Sequence, residues 1–211
     1  MNILMRHGSE KMNCITGTIL AGGAAKRFNG MIKSKIVIGG RTIISRIIGT
    51  FDDIFDKILI VTNTPDEYIE YRNNRIVEDQ FLFKGPLGGI HAALSKSETD
   101  EIFVVAGDMP LLDKELILKQ IDFFYKNKCD ILIPVFNDFI EPLHGIYCRS
   151  ILTRLEEYLR DENDYSMREF FTKCNVLYFQ TEETDKYRRA FTNINSPLDV
   201  EAVERLLESE N

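Results

Sequence analysis

The chain has 211 residues, of which 44% are hydrophobic and 28% charged, and its net charge is −7. This length and composition predict one globular domain and exclude a mainly disordered chain. The acidic balance disfavours a general nucleic-acid or membrane surface, because both require a basic footprint, but it permits a small anionic substrate.

The first half of the chain alternates short apolar runs with segments of helical spacing. Four apolar runs predict strands at residues 14–20, 57–61, 75–77 and 101–106. The second and fourth runs are uninterrupted, which is typical of strands buried on both faces. Helical spacing or a preceding proline predicts three helices, at residues 42–51, 65–73 and 87–95.

The second half continues the same alternation. Helices are predicted at residues 113–126, 149–159, 166–171 and 197–208, with Asp113 as the N-cap of the first. Strands are predicted at 130–134 and 175–180, a segment that pairs nearby at 143–148, and an extended segment at 190–194. Alternating strands and helices predict a single-domain, Rossmann-like α/β fold whose mostly parallel central sheet carries helices on both faces.

The four cysteines and the N-terminus indicate a cytoplasmic protein. The cysteines are scattered and form no CxxC pair, which argues against a disulfide framework or a zinc site. The first residues lack the apolar run of a signal peptide, and no stretch reaches the ~20 apolar residues of a membrane helix. We expect residues 1–11 to be a poorly ordered extension and residues 12–211 to form the folded domain.

The segment after the first predicted strand, LAGGAAKRFNGMIK at residues 20–33, has the composition of a phosphate-binding loop. Gly22 and Gly23 allow a close backbone approach to a ligand, and Arg27 and Lys33 supply positive charge. A simple turn with solvated cations is the alternative. The dinucleotide-binding GxGxxG and the P-loop GxxxxGK[ST] are both absent.

Two aspartates directly follow predicted strands. In open α/β sheets the ligand binds beyond the carboxyl ends of the strands, where both side chains are expected. Asp108 follows the strand at 101–106 and is a candidate ligand of Mg²⁺, which prefers one or two carboxylates together with phosphate oxygens. Asp79 precedes the sequence GPLGG at 85–89. For each aspartate, a capping or turn role is the alternative.

Four motifs in order carry a resemblance to a known family. LAGG with Arg27, Gly30 and Lys33 resembles the opening LAGGxxxR[MF]xGxxK of a superfamily of nucleotidyltransferases. Three later motifs of that superfamily also have counterparts here. They are VED at 77–79 followed by GPLGG at 85–89, AGDMP at 106–110, and NINSP at 193–197. Within that superfamily the chain most resembles the molybdenum cofactor guanylyltransferase family, and NINSP favours that branch over cytidylyl relatives.

The resemblance implies a fold like that of nucleotide-diphospho-sugar transferases and a Mg²⁺-dependent transfer of GMP from GTP to molybdopterin or molybdenum cofactor, with release of pyrophosphate. It implies that Lys33, Arg27 and Asp108 are catalytic and that Asp108 binds the metal. The implied nucleotide-binding residues are Leu20, Ala21, Gly22, Gly23, Lys33, Asn63, Asp79, Gly85, Pro86, Leu87 and Asp108. The implied acceptor-binding residues are His144, Asn193 and Asn195.

Several alternatives remain open at this stage. His144 fits a structural role, and Asn193 and Asn195 fit an Asx turn before the last helix. A CTP-using transferase of the same superfamily is a second candidate. An inactive nucleotide-binding regulator is a third, because Ile32 stands where the family usually has Asp before its loop lysine. The expected partners are small molecules, with neither nucleic acid nor membrane, and transient contacts with cofactor-biosynthesis or acceptor proteins.

Overall fold

A computed structural model describes residues 12–22, 32–161 and 165–209 of the chain. In these ranges the strands are β1 (Ile15–Leu20), β2 (Val37–Ile38), β3 (Arg41–Thr42), β4 (Ile58–Val61), β5 (Arg75–Val77), β6 (Glu101–Ala106), β7 (Ile131–Phe136), β8 (Phe139–Ile140), β9 (His144–Cys148) and β10 (Val176–Gln180). The α-helices are α1 (Ile43–Asp52), α2 (Gly85–Lys96), α3 (Lys114–Lys126), α4 (Leu152–Asp161), α5 (Met167–Phe171), α6 (Asp185–Ala190) and α7 (Pro197–Glu208). Short 3-10 helices lie at Lys33–Lys35, Pro65–Tyr71 and Arg149–Ile151.

The central sheet has the strand order β10-β7-β9-β6-β1-β4-β5, and β8 pairs with the C-terminal end of β7. β9 runs antiparallel to its neighbours β6 and β7, whereas β1, β4, β5 and β6 form consecutive parallel pairs. The predicted mostly parallel α/β sheet is therefore confirmed. β2 and β3 form a separate two-stranded hairpin.

Alternate residues of each central strand pack on opposite faces of the sheet, because successive side chains of a strand point to opposite sides. In β4, Ile58 and Ile60 belong to the apolar core that includes residues of α1, α3 and α7. Leu59 and Val61 belong to the second core, with residues of α2, α4 and α5. Helices thus cover both faces, as predicted.

The sequence-based elements differ from the structure in a few short segments. The extended segment predicted at 190–194 is wrong at its start, because α6 ends at Ala190 and the following residues form a turn and irregular loop. The helix predicted at 65–73 is a 3-10 helix that begins at Pro65. The prediction for residues 1–11 lies outside the described residues. None of the helices in the described ranges has the length and apolar character needed to span a membrane.

Candidate active site

The site begins where β1, β4 and β6 end side by side. Leu20, the last residue of β1, is in register with Val61 of β4 and Ala106 of β6. The segments that follow are tightly joined: the Gly107 N–H donates to the Leu20 carbonyl at 2.9 Å. A Cβ on Gly22 would lie 2.7 Å from the Thr62 Cα, so the chain can pass there only as glycine.

A cleft of about 390 Å³ opens at this edge of the sheet. It brings together seven of the predicted nucleotide-binding residues, namely Leu20, Ala21, Gly22, Lys33, Gly85, Pro86 and Asp108. Six further residues that were not among the predicted site residues also line it, namely Ile32, Ser34, Gly89, Ala106, Gly107 and Leu143. Segments from four distant parts of the chain therefore meet in one cleft.

Lys33 is the centre of a polar cluster in this cleft. Its Nζ lies 3.3 Å from Asp108 Oδ2 and donates to Asn195 Oδ1 at 2.7 Å. The side chains of Lys33 and Asp108 are only 18% and 22% exposed. In such a partly desolvated setting a fixed ammonium group interacts with an anion more strongly than it does in bulk water.

A capping box at the start of α7 positions Asn195. Asp199 Oδ2 accepts from the backbone N–H groups of Asn195 at 2.8 Å and Ser196 at 2.7 Å. These bonds, chiefly the one from Asn195, lower the pKa of Asp199. The Ile194 N–H donates to the Asp108 carbonyl at 2.9 Å, which ties the two loops together. The sequence analysis missed Asp199, although the spacing S-x-x-D after NIN is a capping-box signal.

A buried tyrosine fixes the backbone below Lys33. Tyr68 is fully buried, and its hydroxyl donates to the Ala21 carbonyl at 2.9 Å and lies 2.8 Å from the Ser34 hydroxyl. Lys35 is directed elsewhere, with its Nζ 2.9 Å from Glu70 Oε1. Ile32 packs against the core of the α1 face. No single-residue motif identifies Tyr68, because its role depends on a long-range contact.

Asn63 and Asp79 form a second group beside the cleft. Asn63 Oδ1 accepts from the Asp79 N–H at 3.1 Å, and Asp79 Oδ1 accepts from the Phe81 N–H at 2.8 Å. Burial raises the pKa of Asp79. A Cβ on Gly88 would lie 2.6 Å from Asp79 Oδ2, so α2 packs directly against this carboxylate. Neither Asn63 nor Asp79 lines the cleft itself, and their nucleotide contacts stay predictions.

Two other predicted positions, Leu87 and His144, are placed differently. The side chain of Leu87 is fully buried in the core of the α2 face, and Leu87 does not line the cleft. His144 is fully buried on β9, with its ring centroid 5.3 Å from that of Phe103 and 5.1 Å from that of Phe191. Burial lowers the pKa of His144 to about 4, and the structure therefore favours packing over acceptor contact for this residue.

The remaining predicted residues divide into two groups. Asn193 Nδ2 donates to the Phe191 carbonyl at 3.2 Å, a local bond that differs from the side-chain-oxygen bond of an Asx turn, and its acceptor contact stays a prediction. Gly23, Arg27 and Gly30 lie outside the described residues. Their predicted roles stay predictions.

A metal ion would have to bind here with help from its substrate. Within residues 12–22, 32–161 and 165–209, no group of three or more His, Cys, Asp or Glu side chains could hold a metal ion. Asp108 supplies a single partly exposed carboxylate at the cleft. This donor set fits Mg²⁺, which is usually bound by one or two carboxylates, water and substrate phosphates rather than by a protein cage.

Comparisons with known proteins show which family the chain resembles. Residues 17–177 match the family described as MobA-like NTP transferase domain. The chain is 34% identical over 200 residues to a probable molybdenum cofactor guanylyltransferase of Natranaerobius thermophilus, covering 92% of this chain and 96% of the relative. It is 31% identical over 201 residues to a molybdenum cofactor guanylyltransferase of Desulfosudis oleivorans, covering 94% and 98%.

The fold is also similar to a solved structure from an archaeon. The crystal structure of molybdopterin-guanine dinucleotide biosynthesis protein A from Archaeoglobus fulgidus superposes with a TM-score of 0.78 at 25% identity. The match covers 92% of this chain and 99% of that chain.

Proposed function

Because the chain belongs to the family of MobA-like NTP transferase domains, we propose that it transfers GMP from GTP to molybdenum cofactor and releases pyrophosphate. It is a nucleotidyltransferase, and its curated relatives, which match over most of both chains, are named molybdenum cofactor guanylyltransferases. The observation that carries the proposal is the convergence of Lys33 and Asp108 in one cleft, where Asn195 accepts a hydrogen bond from Lys33.

The reaction is an in-line displacement at the α-phosphate of GTP. The attacking group is an anionic phosphate oxygen of the acceptor, which is already ionised, so the protein need not supply a nucleophile or remove a proton. Catalysis then depends on positioning and on the stabilisation of negative charge. The cleft contains the groups for both tasks: a tight backbone at Gly22 and a fixed ammonium group at Lys33.

Lys33 exchanges partners when the nucleotide binds. Without nucleotide, its charge is balanced by Asp108 and its position is fixed by Asn195. A triphosphate in the cleft offers stronger charge-assisted hydrogen bonds to the same ammonium group. Asn195 keeps the side chain directed into the cleft, and Asp199 in turn keeps Asn195 in place.

Asp108 is the residue that would bind Mg²⁺ together with the phosphates of GTP. When bound, the metal neutralises charge on the phosphates and on the pyrophosphate that leaves. The Ile194 N–H, which donates to the Asp108 carbonyl, fixes this loop at the end of β6. The proposed assignment therefore gives Asp108 a charge-dependent role and leaves Lys33 free to bind phosphate.

Replacement of Asp108 by asparagine tests this assignment. Asp108→Asn keeps the shape but removes the charge, and pyrophosphate release should fall at least about a hundredfold, or about 2.7 kcal/mol of barrier. Asp56→Asn is the control, because Asp56 is exposed and precedes β4 at the opposite edge of the sheet. Near-normal turnover of folded Asp108→Asn would move the metal to another residue, with Asp79 as the next candidate.

The presence of Ile32 in place of the family's usual Asp leaves the contacts of Lys33 intact. Although it replaces the usual Asp, Ile32 packs against the core, and the adjacent Lys33 reaches both Asp108 and Asn195. This geometry supports an active enzyme over an inactive nucleotide-binding regulator.

We also propose a cytoplasmic reaction on small molecules, with transient contacts to other cofactor-biosynthesis or acceptor proteins. The four free cysteines are consistent with that compartment.

A further inference from the structure

A second cleft, of about 730 Å³, lies on the face of the sheet covered by α1, α3, α6 and α7. It shares no lining residue with the cleft that contains Lys33 and Asp108, which we call the nucleotide cleft after its proposed function. The second cleft has a volume within the range of small-molecule sites. We call it the basic cleft, and its charged lining residues are Arg41, Arg46, Asp53, Asp113, Lys114, Lys186 and Arg189.

The basic cleft has a charge opposite to that of the whole chain. Five of its lining side chains are cationic and two are acidic, a local excess of three positive charges in a chain of net charge −7. The cations come from β3, α1, α3 and α6. Separate elements therefore bring like charges to one concave surface, which attracts anions.

Carboxylates balance one side of the basic cleft. Lys114 Nζ lies 3.6 Å from Asp53 Oδ2. Lys186 Nζ lies 3.2 Å from Asp113 Oδ2 and 2.7 Å from Glu115 Oε2. The charges of these two lysines are therefore balanced.

Arg41 and Arg46 supply two of the three excess charges. Arg46 donates through Nε and Nη2 to the Ile38 carbonyl at 3.1 and 2.6 Å, and Arg41 Nη2 donates to the Ser45 carbonyl at 3.2 Å. In the part of the chain that the structure describes, neither guanidinium forms an ion pair with a carboxylate. Burial, and then the positive charge of Arg41, lower the pKa of Arg46.

Two glycines make room for these guanidinium groups. A Cβ on Gly39, which has a φ of +54°, would lie 2.8 Å from Arg46 Nη2. A Cβ on Gly49 would lie 3.2 Å from Arg41 Nη2. The backbone thus accommodates two adjacent positive charges at the wall of a cleft, and main-chain carbonyls rather than carboxylates fix their positions.

We propose that the basic cleft binds a small anion with two or more phosphate groups, with Arg41 and Arg46 as its principal contacts. Guanidinium groups match phosphate oxygens through paired N–H donors. A phosphate group carries up to two charges and three acceptor oxygens, so a few such groups match an excess of three positive charges in a small volume. The ligand need not be GTP or molybdenum cofactor, and the proposal does not depend on the proposed function.

Calorimetric titration with inorganic tripolyphosphate tests this site. The titrations use Lys33→Met protein, in which phosphate binding at the nucleotide cleft is weakened. In this background, Arg41→Gln should lower the affinity about tenfold or more, because it removes a charge-assisted contact. Lys114→Gln should lower it by a smaller factor, because it leaves Asp53 without its cation and so reduces the positive charge of the basic cleft. Arg72→Gln, which removes an exposed arginine outside both clefts, should change the affinity less than about twofold.

Three results would overturn the proposal. They are no tripolyphosphate binding in the Lys33→Met background, equal affinities for the Arg41→Gln and Arg72→Gln proteins, and citrate binding as tightly as tripolyphosphate. Lys114→Gln guards against a folding defect in the Arg41 variant, because Lys114 is exposed and only its ion pair with Asp53 is lost. Arg46 is not replaced, since it stabilises the β2–β3 hairpin.

Discussion

At the residue scale, two lysines of the same short helix have different environments. Lys33 contacts Asp108 and Asn195 in the nucleotide cleft. Lys35 pairs with Glu70, and its Nζ lies 5.5 Å from the centre of the Tyr68 ring. Residues two apart share a face in an extended segment, but the 3-10 helix Lys33–Lys35 separates their side chains. The two lysines therefore form a matched pair for mutation.

Lys33→Met should reduce GTP-dependent pyrophosphate release by roughly tenfold to two-hundredfold, because a lost charge-assisted hydrogen bond costs on the order of 1.5–3 kcal/mol. The thermal stability of the nucleotide-free protein should change little. Lys35→Met should leave turnover near normal, since its partners are glutamates outside the cleft. A silent Lys33→Met together with a damaging Lys35→Met would contradict the position of this segment in the structure.

His144 makes stability depend on pH. Its pKa is about 4 in the folded protein and about 6.5 when exposed, so below pH 6.5 the unfolded chain binds a proton that the folded chain does not. The free energy of unfolding should therefore decrease as the pH falls, with a contribution from His144 on the order of 2 kcal/mol between pH 7.5 and pH 5. Urea unfolding at pH 7.5 and at pH 5 measures this decrease in the free energy of unfolding.

His144→Leu is the comparison for this prediction. The variant should lose less stability between pH 7.5 and pH 5 than the natural chain does. His91, whose pKa is also lowered by burial, remains in both proteins and contributes equally. The same loss in both proteins would show that His144 does not contribute.

At the element scale, alanine substitutions at Gly88 in α2 and at Gly49 in α1 compare how closely the two helices are packed. A Cβ on Gly88 in α2 would meet the Asp79 carboxylate at 2.6 Å and the Phe81 carbonyl at 2.8 Å. A Cβ on Gly49 in α1 would meet only the flexible end of Arg41, at 3.2 Å. Gly88→Ala should lower the free energy of unfolding by about 1–3 kcal/mol through overpacking. Gly49→Ala should raise it by up to about 1 kcal/mol, because alanine favours helix.

Urea unfolding of both variants measures this difference. A stabilising Gly88→Ala would mean that α2 does not pack closely on Asp79. The same substitution should also reduce turnover, since it displaces a carboxylate beside the nucleotide cleft. Gly49→Ala should leave turnover unchanged, because Gly49 does not line that cleft.

Long elements could be predicted from the sequence, whereas the two-residue strands and the short helix α6 could not. The strands at β1, β4 and β6 are apolar runs, and α3 combines helical spacing with an Asp113 cap that accepts from the Leu116 N–H at 2.8 Å. By contrast, β2, β3 and β8 have two residues each, too few for any alternation to show. α6 was missed because only Tyr187 and Ala190 of its six residues are buried.

In the candidate site, residues that belong to local motifs could be predicted, whereas residues placed by long-range contacts could not. The LAG segment, Lys33 and Asp108 follow strands and carry motifs, so their convergence could be predicted. The burial of His144 could not be predicted, because Phe103 and Phe191 come from distant parts of the chain. The same holds for Tyr68, which bonds to Ala21 across 47 positions.

At the scale of the whole molecule, the residues of the proposed site lie together at one edge of the sheet. β1, β4 and β6 run parallel and adjacent, so the loops after them meet at their carboxyl ends. The NIN loop joins them because Ile194 bonds to Asp108 and α7 begins immediately after it. Nucleotide binding should therefore stabilise the entire domain, by roughly 2.7 kcal/mol at a ligand concentration ~100 times the dissociation constant.

The most direct test of the proposed reaction is pyrophosphate release with molybdopterin as the acceptor, measured in parallel with GTP and with CTP. We predict Mg²⁺-dependent release with GTP and at least about tenfold slower release with CTP. Faster release with CTP would contradict guanylyl transfer. The absence of release with either nucleotide, in protein that GTP still stabilises, would contradict an active enzyme and leave a nucleotide-binding regulator.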